Sequence, residues 1–326
     1  MLNNVTLKEA IMLAVIGENV VDMIPTPDGH YRPCLGGSPF NVAIGAARQN
    51  IAVSYLSPLS QDHFGSAFLN YLTDNDAHYG LPFFSRAPTS LAMVSINAQH
   101  QPEYSLYRTG IADRDISAAQ QITALPENCK LLHLGSLALE PEDGERINAV
   151  VQACHTKDIQ LAVDINVRIN AVSNVDSYRT LLLNVIAQSQ FIKASDEDLQ
   201  LLFPSLNLQQ ALNALRDCAP SALLALTEGE KGATLYWQQH SISLPVVVAT
   251  PFVDTVGAGD TFWANLLAAL LQLGLPSAAQ ISTAELTQCL QRAMLAASLN
   301  IASAGCNPPT ALQVNTALNQ EKTIKN

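Results

Sequence analysis

Short apolar runs alternate with amphipathic stretches along most of this chain. Met12–Ile16, Ile51–Leu56, Leu131–Leu134, Gln160–Asp164, Phe191–Lys193 and Ala222–Thr227 are too short for helices and lack the polar alternation of a half-exposed strand. They predict strands buried on both faces. Between them Ser38–Gln49, His63–Asn75, Pro141–His155, Asp176–Gln188 and Leu208–Cys218 carry helical spacing. The first of these helices has a clear start, with Ser38 available as a cap and Pro39 in the first turn. Strand–helix alternation of this kind predicts an α/β fold, a doubly wound, mostly parallel sheet flanked by helices.

Two regions break the rhythm. Val20–Pro33 contains Pro25, Pro27, Gly29 and Pro33 and reads as a turn-rich excursion after the first strand. Leu91–Asn97 and Glu103–Arg108 are strand-like pieces joined by a polar loop, which predicts a hairpin with no helix between. Together these regions, about 20–34 and 90–108, predict a small β lid on a single domain spanning 1–326. Leu91, Met93, Val94 and Ile96 make that lid more apolar than a solvated flap requires, so a homodimer paired through the lid is expected. The tail after Pro309 is polar and is expected to fray.

Composition narrows the partners. With a formal net charge of −11, the chain is poorly suited to nucleic acid or anionic membrane surfaces. The longest apolar stretch, Phe262 to Leu275, falls short of the ~20 residues that span a bilayer and reads as a buried helix. Ile11–Ile16 follows Lys8 and Glu9 and runs into Gly-Glu, which suits a strand and not a signal peptide. The six cysteines show no paired spacing and the seven histidines no metal-binding motif. Reduced thiols, no structural metal and a cytoplasmic location are the expectation.

The chemistry concentrates in Asp254-Thr-Val-Gly-Ala-Gly-Asp260, which leads directly into the apolar stretch. Gly257, Ala258 and Gly259 would place backbone N–H groups, nearly free of side chains, at a helix N-terminus, a natural anion site. A carboxylate in the same turn is electrostatically wasteful unless it takes a proton from something attacking that anion. That arrangement suits phosphoryl transfer with Asp260 as base. The plain alternative is that Asp260 merely caps the helix. Neither a G-x-x-x-x-G-K-Ser/Thr loop nor a G-x-G-x-x-G fingerprint is present. In an open parallel sheet ligands bind beyond the C-terminal strand ends. The polar residues that follow the strands are Glu18 and Asp22, then Gly36, Gly37 and Asn41, then Asp164 to Arg168, Lys193 to Asp198, and Thr227 to Gly232.

Gly36-Gly37-Ser-Pro-Phe-Asn41 near the N-terminus and Asp254 to Asp260 near the C-terminus, in that order, resemble the motif pair of the ribokinase-like, or PfkB, carbohydrate kinases. Gly17-Glu18 leading to Asp22, Tyr107-Arg108 followed by Ala112-Asp113, and His133-Leu-Gly-Ser136 are similar to the fructokinase group within that family. The resemblance runs from about Val15 to Pro309. It implies that Asp22, Gly36, Gly37 and Asn41 bind the sugar and that Asp260 deprotonates its hydroxyl. Gly257, Ala258 and Gly259 would stabilise the transferring phosphoryl group. Thr227, Gly229 and Gly232 would line the nucleotide site, Lys193 and Ser195 would lie near the phosphates, and Arg108 and Arg168 would contact the sugar or its new phosphate.

The implied cofactors are ATP and Mg²⁺, with K⁺ as a family option beside Asp254. Two positions depart from the family pattern. Ser195-x-x-Asp198 replaces Asn-x-x-Glu, leaving the shorter Asp198 to hold magnesium through water. Cys306 stands where Ala is common. The implied reaction is ATP-dependent phosphorylation of a primary hydroxyl, D-fructose giving fructose 6-phosphate. 2-Keto-3-deoxygluconate, tagatose or a nucleoside are alternative acceptors, and a sugar-binding regulator without activity is the alternative of another class.

Overall fold

The computed structural model describes residues 12–96, 102–275 and 280–325. In chain order the strands and helices are β1 (Met12–Val15), β2 (Val20–Pro25), β3 (Tyr31–Gly36), α1 (Ser38–Ala47), β4 (Ala52–Tyr55), α2 (His63–Asp74), β5 (His78–Tyr79), β6 (Ser90–Ile96) and β7 (Pro102–Tyr107). Then follow α3 (Ala118–Thr123), β8 (Cys129–Gly135), α4 (Gly144–Thr156), β9 (Gln160–Asp164), α5 (Val175–Ile186), β10 (Phe191–Ser195), α6 (Asp196–Leu202), α7 (Leu208–Cys218) and β11 (Leu223–Thr227). The chain continues through β12 (Ala233–Trp237), β13 (His240–Leu244), α8 (Ala258–Gln272), α9 (Thr283–Ile301) and α10 (Ala311–Lys325).

Nine strands form one sheet in the order β13-β12-β11-β10-β9-β8-β1-β4-β5. Every pairing from β5 to β11 is parallel, and β12 and β13 add an antiparallel edge. After β1 the chain leaves to β4 on one side and to β8 on the other, so the topological switch lies at β1. Crevices at such a point, beyond the C-terminal strand ends, are where ligands sit in open α/β sheets. Separate apolar layers cover the two faces, one built on Phe40, Phe68, Trp263 and Leu267, the other on Val163, Tyr178 and Leu182.

Helix α8 shows why the site has a rigid floor. Thr261 to Leu271 are all buried, so this helix is apolar on every side and belongs to the core. Trp263 Nε1 donates to His133 Nδ1 on β8 at 3.3 Å, pinning the helix to the sheet. Gly45 lets α1 lie directly on α8, since a Cβ there would come within 2.6 Å of the Ala264 methyl. The N-termini of α1 and α8 thereby converge.

A second sheet, β3-β2-β6-β7, holds the expected hairpin of β6 and β7; its loop, 97–101, lies outside the described residues. Three expectations need correction. Val20–Pro33 is no turn excursion but most of a regular antiparallel pair, β2 with β3, tolerating Pro33 because β3 is an edge strand. The tail does not fray at Pro309: α10 follows, anchored by the fully buried Val314 and by the Ala311 N–H on the Arg48 carbonyl. Ser38 does not cap α1. Gly37 is the N-cap and makes no side-chain cap bond, while Ser38 is already the first helical residue. All six cysteines are free thiols, and no described helix is long and apolar enough to cross a membrane.

Candidate active site

The N-termini of α1 and α8 meet at Asp260. Its carboxylate does not cap α8, whose N-cap is Gly257 with no side-chain bond. Instead Oδ1 accepts from Ser38 Oγ at 2.7 Å and Oδ2 from Asn41 Nδ2 at 2.8 Å. Two neutral donors, one on each oxygen, fix the carboxylate's rotamer and bring no countercharge to it. Ala258 contributes less than its sequence suggests, because its N–H turns back to the Thr255 carbonyl at 3.2 Å. The N–H groups of Gly257 and Gly259 have no partner among the described residues, so the anion-binding end of the helix opens on them.

Beneath this turn lies a buried ion pair. Lys193 Nζ stands 2.9 and 2.8 Å from the two oxygens of Asp164, its register partner at the end of β9, with Lys193 itself in the middle of β10. Burial alone would depress the ammonium, but the Asp164 charge outweighs it and holds the Lys193 pKa above its ordinary value. A Cβ on Gly259 would lie 3.4 Å from Nζ, so the lysine sits directly under the turn and is already paired. Ser195 caps α6 by accepting from the Asp198 N–H at 3.0 Å.

Asp198 is anchored by the backbone. One oxygen accepts from the Ser195 N–H at 2.8 Å and the other from the Val167 N–H at 2.7 Å, and the residue is buried. Its carboxylate ties β10 to the loop after β9. Asp254 is similar, with its oxygens accepting the Val256 and Gly305 N–H groups, each at 2.9 Å. Among the described residues no three His, Cys, Asp or Glu side chains gather as a metal site.

Asp22 lies on β2 in register with Cys34 on β3 and Ala92 on β6. Gly36 leaves room for it, since a Cβ there would press to 2.9 Å from Oδ2. Burial pushes the Asp22 carboxyl up to about 6. Tyr104 on β7, which sequence reading passed over, is the reporter of this cleft: the charges of Asp22, Arg168 and Asp254 all act on its hydroxyl. Two-residue alternation from Leu106, the register partner of Ala92, puts Tyr104 on the same face as Asp22.

The two arginines separate. Arg168 is exposed at the cleft, and among the described residues its guanidinium bonds only the carbonyl of Val167, at 3.2 Å. Arg108 is buried at the foot of β7 and does not reach out to a ligand. It donates to Glu140 at 2.8 Å, to Asp113 at 3.0 Å and to Ser90 at 3.2 Å. Burial opposes its charge, but Asp113, Glu140 and Glu18 together raise its pKa.

Thr227, Gly229 and Gly232 occupy the turn from β11 to β12, beside the end of β10, as Ser195 pairs with Thr227. The Thr227 hydroxyl rests on the Ala194 carbonyl at 3.4 Å. The segment linking β13 to α8 leaves Val246, Val248, Phe252, Val253 and Val256 exposed, an apolar stretch leading into the anion-binding turn.

A general model of the pfkB family carbohydrate kinases matches residues 10–312. The chain belongs to this family. As a pfkB carbohydrate kinase it is a phosphotransferase with an alcohol group as acceptor, acting on sugars. A fructokinase of Rhizobium leguminosarum bv. trifolii is 29% identical over 277 residues, covering 83% of each chain. A solved fructokinase of Vibrio cholerae O395, in a form binding fructose, ADP and calcium, superposes with a TM-score of 0.80 at 24% identity, covering 94% of this chain and 98% of that one. An aminoimidazole riboside kinase of Salmonella enterica, complexed with aminoimidazole riboside and an ATP analogue, also superposes at 0.80, with 23% identity and coverage of 94% and 99%.

Proposed function

We propose that this pfkB kinase transfers the γ-phosphoryl group of ATP to the primary hydroxyl of D-fructose, giving fructose 6-phosphate. The observation that carries the reading is Asp260, an acceptor held between Ser38 and Asn41 at the mouth of a helix where the Gly257 and Gly259 N–H groups have no partner among the described residues. The hydroxyl proton passes to Asp260, and the hydroxyl oxygen bonds to the γ-phosphorus. The bond from that phosphorus to the bridging oxygen breaks, and ADP leaves with the electron pair. Gly257 and Gly259 N–H groups stabilise the charge on the transferring group. Asp22 accepts from sugar hydroxyls, and Arg168 balances the new phosphate. The small sheet serves as the lid over this cleft, excluding water during transfer.

ATP fits the site through the open helix N-terminus and the exposed valines of the segment before it, which suit a base. Magnesium would arrive with the nucleotide and supply charge neutralisation, held by phosphate oxygens and water. Asp198, whose two oxygens each accept one backbone N–H, would reach the ion through water. Fructose as the acceptor is supported by the fructokinase relatives that match over most of the chain. The test is ATP consumption against D-fructose, tagatose, 2-keto-3-deoxygluconate and a panel of nucleosides. D-Fructose giving the highest kcat/KM supports the reading. A nucleoside or aldonate ahead of it by tenfold or more overturns the substrate, and no turnover with any acceptor overturns the activity.

A further inference from the structure

Ser38 stands at the start of α1 where a cap is expected, yet its hydroxyl is turned away from its own helix and onto Asp260. Its backbone N–H donates to Glu18 Oε1 at 3.2 Å. Glu18 is itself buried at the point where the chain leaves β1 for the small sheet. Gly37 locks the same segment from behind, since a Cβ there would meet the Glu18 carbonyl oxygen at 2.3 Å. Ser38 is held by its backbone, and its side chain has one charged partner.

Asn41 also bonds Asp260, but a terminal amide that faces the cleft is shared with any sugar bound there. Ser38 is only 9% exposed and has no comparable route to a ligand. Its bond holds Oδ1 in place while Asn41 holds Oδ2, so the carboxylate is fixed from both sides.

We propose that Ser38 is the positioning residue of the transfer step: its hydroxyl, held in place through the Glu18–Ser38 contact, orients the Asp260 carboxylate toward the acceptor hydroxyl. The proposal rests on the sugar-kinase reading above. A bond from the Ser38 hydroxyl to a charged group that matters to the transition state, but touches neither substrate, changes kcat and leaves both KM values alone.

The test compares the wild type with Ser38→Ala and Ser38→Thr, measuring kcat, the KM for sugar and for ATP, and the melting temperature. Ser38→Ala is expected to lose about tenfold or more in kcat, with both KM values within about twofold. Ser38→Thr, which keeps the hydroxyl, is expected to recover most of that loss. Wild-type kcat in Ser38→Ala overturns the proposal, as does a rise in both KM values together with a lowered melting temperature. Ser38→Thr behaving like Ser38→Ala while melting like the wild type also overturns it. Should Ser38→Thr melt early, the split between kcat and KM in Ser38→Ala decides alone. A wild type inactive on every acceptor removes the kinase reading and this proposal with it, whereas an active wild type with an unimpaired Ser38→Ala removes only this proposal.

Discussion

Lys193 meets both carboxylate oxygens of Asp164, at 2.9 and 2.8 Å, directly beneath Gly259. A lysine near the phosphates would ordinarily be read as a phosphate ligand. Here its charge is already matched, and the pair acts first as a support for the turn above it. Removing one member leaves the other charged and buried, which costs about 3–5 kcal/mol. Lys193→Met is therefore expected to lower the unfolding free energy by about that much, and Lys193→Met with Asp164→Leu to recover most of it. Denaturant unfolding of the two variants checks this. An unchanged midpoint in Lys193→Met would leave the lysine free to serve phosphate alone.

Asp260 itself is the sharpest site test. Asp260→Asn keeps the size of the side chain and both hydrogen-bonding neighbours but cannot accept the hydroxyl proton. We expect kcat to fall by about 10²–10⁴-fold with the fold and sugar affinity kept. Near-normal kcat would leave Asp260 a structural residue of the α1–α8 junction.

Reading the chain alone located the main sheet because its strands are buried on both faces and stand out as unbroken apolar runs. The second sheet was half legible. β6 and β7 alternate clearly, whereas β3 begins Tyr31-Arg32-Pro33, all exposed, and a proline on an edge strand looks like a turn. Helix α10 was missed because few of its residues from 311 to 320 are buried, with Val314 the main anchor among them. In the site, positions after strand ends were legible but partnerships were not. Nothing local says that Ser38 will bond a residue 222 positions away, or that Arg108 will be enclosed by Asp113 and Glu140. Asp198 kept its place at the start of α6, but nothing local says that two backbone N–H groups will anchor its carboxylate.

Burial holds the Asp22 carboxyl near 6, so its charge is lost within an accessible range. An ionised carboxylate accepts two sugar hydroxyls, and the protonated form accepts less and must also place its own proton. The KM for sugar is expected to rise as pH falls below about 6 while the KM for ATP stays level. Asp22→Ala should weaken sugar binding about ten- to a hundredfold and abolish that pH dependence. Equal losses for both ligands would instead indicate general damage to the small sheet.

Glu18 makes a linked prediction about stability. Burial is the main reason its carboxyl is pushed up to about 7, against Arg108, which lowers it. The folded-state value lies above the unfolded one. Folding therefore gains from protonated Glu18 below about pH 4.5, and that gain fades as pH rises through 7. Glu18→Gln keeps an acceptor for the Ser38 N–H and carries no charge to bury. Relative to the wild type its stability should improve steadily between pH 4.5 and 8, by up to roughly 3 kcal/mol at the upper end. Parallel stability curves for the two proteins across that range would show that Glu18 is not the group responsible.

The small sheet bears on assembly. Its apolar side chains are not all equivalent: Ala92 and Val94 are buried within the protomer, and Leu91 packs against the main core. Met93 is only partly covered, and Tyr31, Tyr104 and Tyr107 stay exposed, which leaves more aromatic surface on the sheet than a solvated flap needs. Tyr104 lies on the cleft face, where a sugar can cover it. Tyr107 sits at register with Leu91, on the opposite face. The main core covers this face at Leu91, so what a second copy can cover is its open part at Met93 and Tyr107, and a two-fold axis would place the same strip on both partners. We therefore expect a dimer through that strip, in which Tyr107→Lys and Met93→Lys together give monomers by putting like charges across the axis. Light scattering at micromolar concentration checks it. A wild-type mass near 35.0 kDa with full activity would mean that the lid works within one protomer.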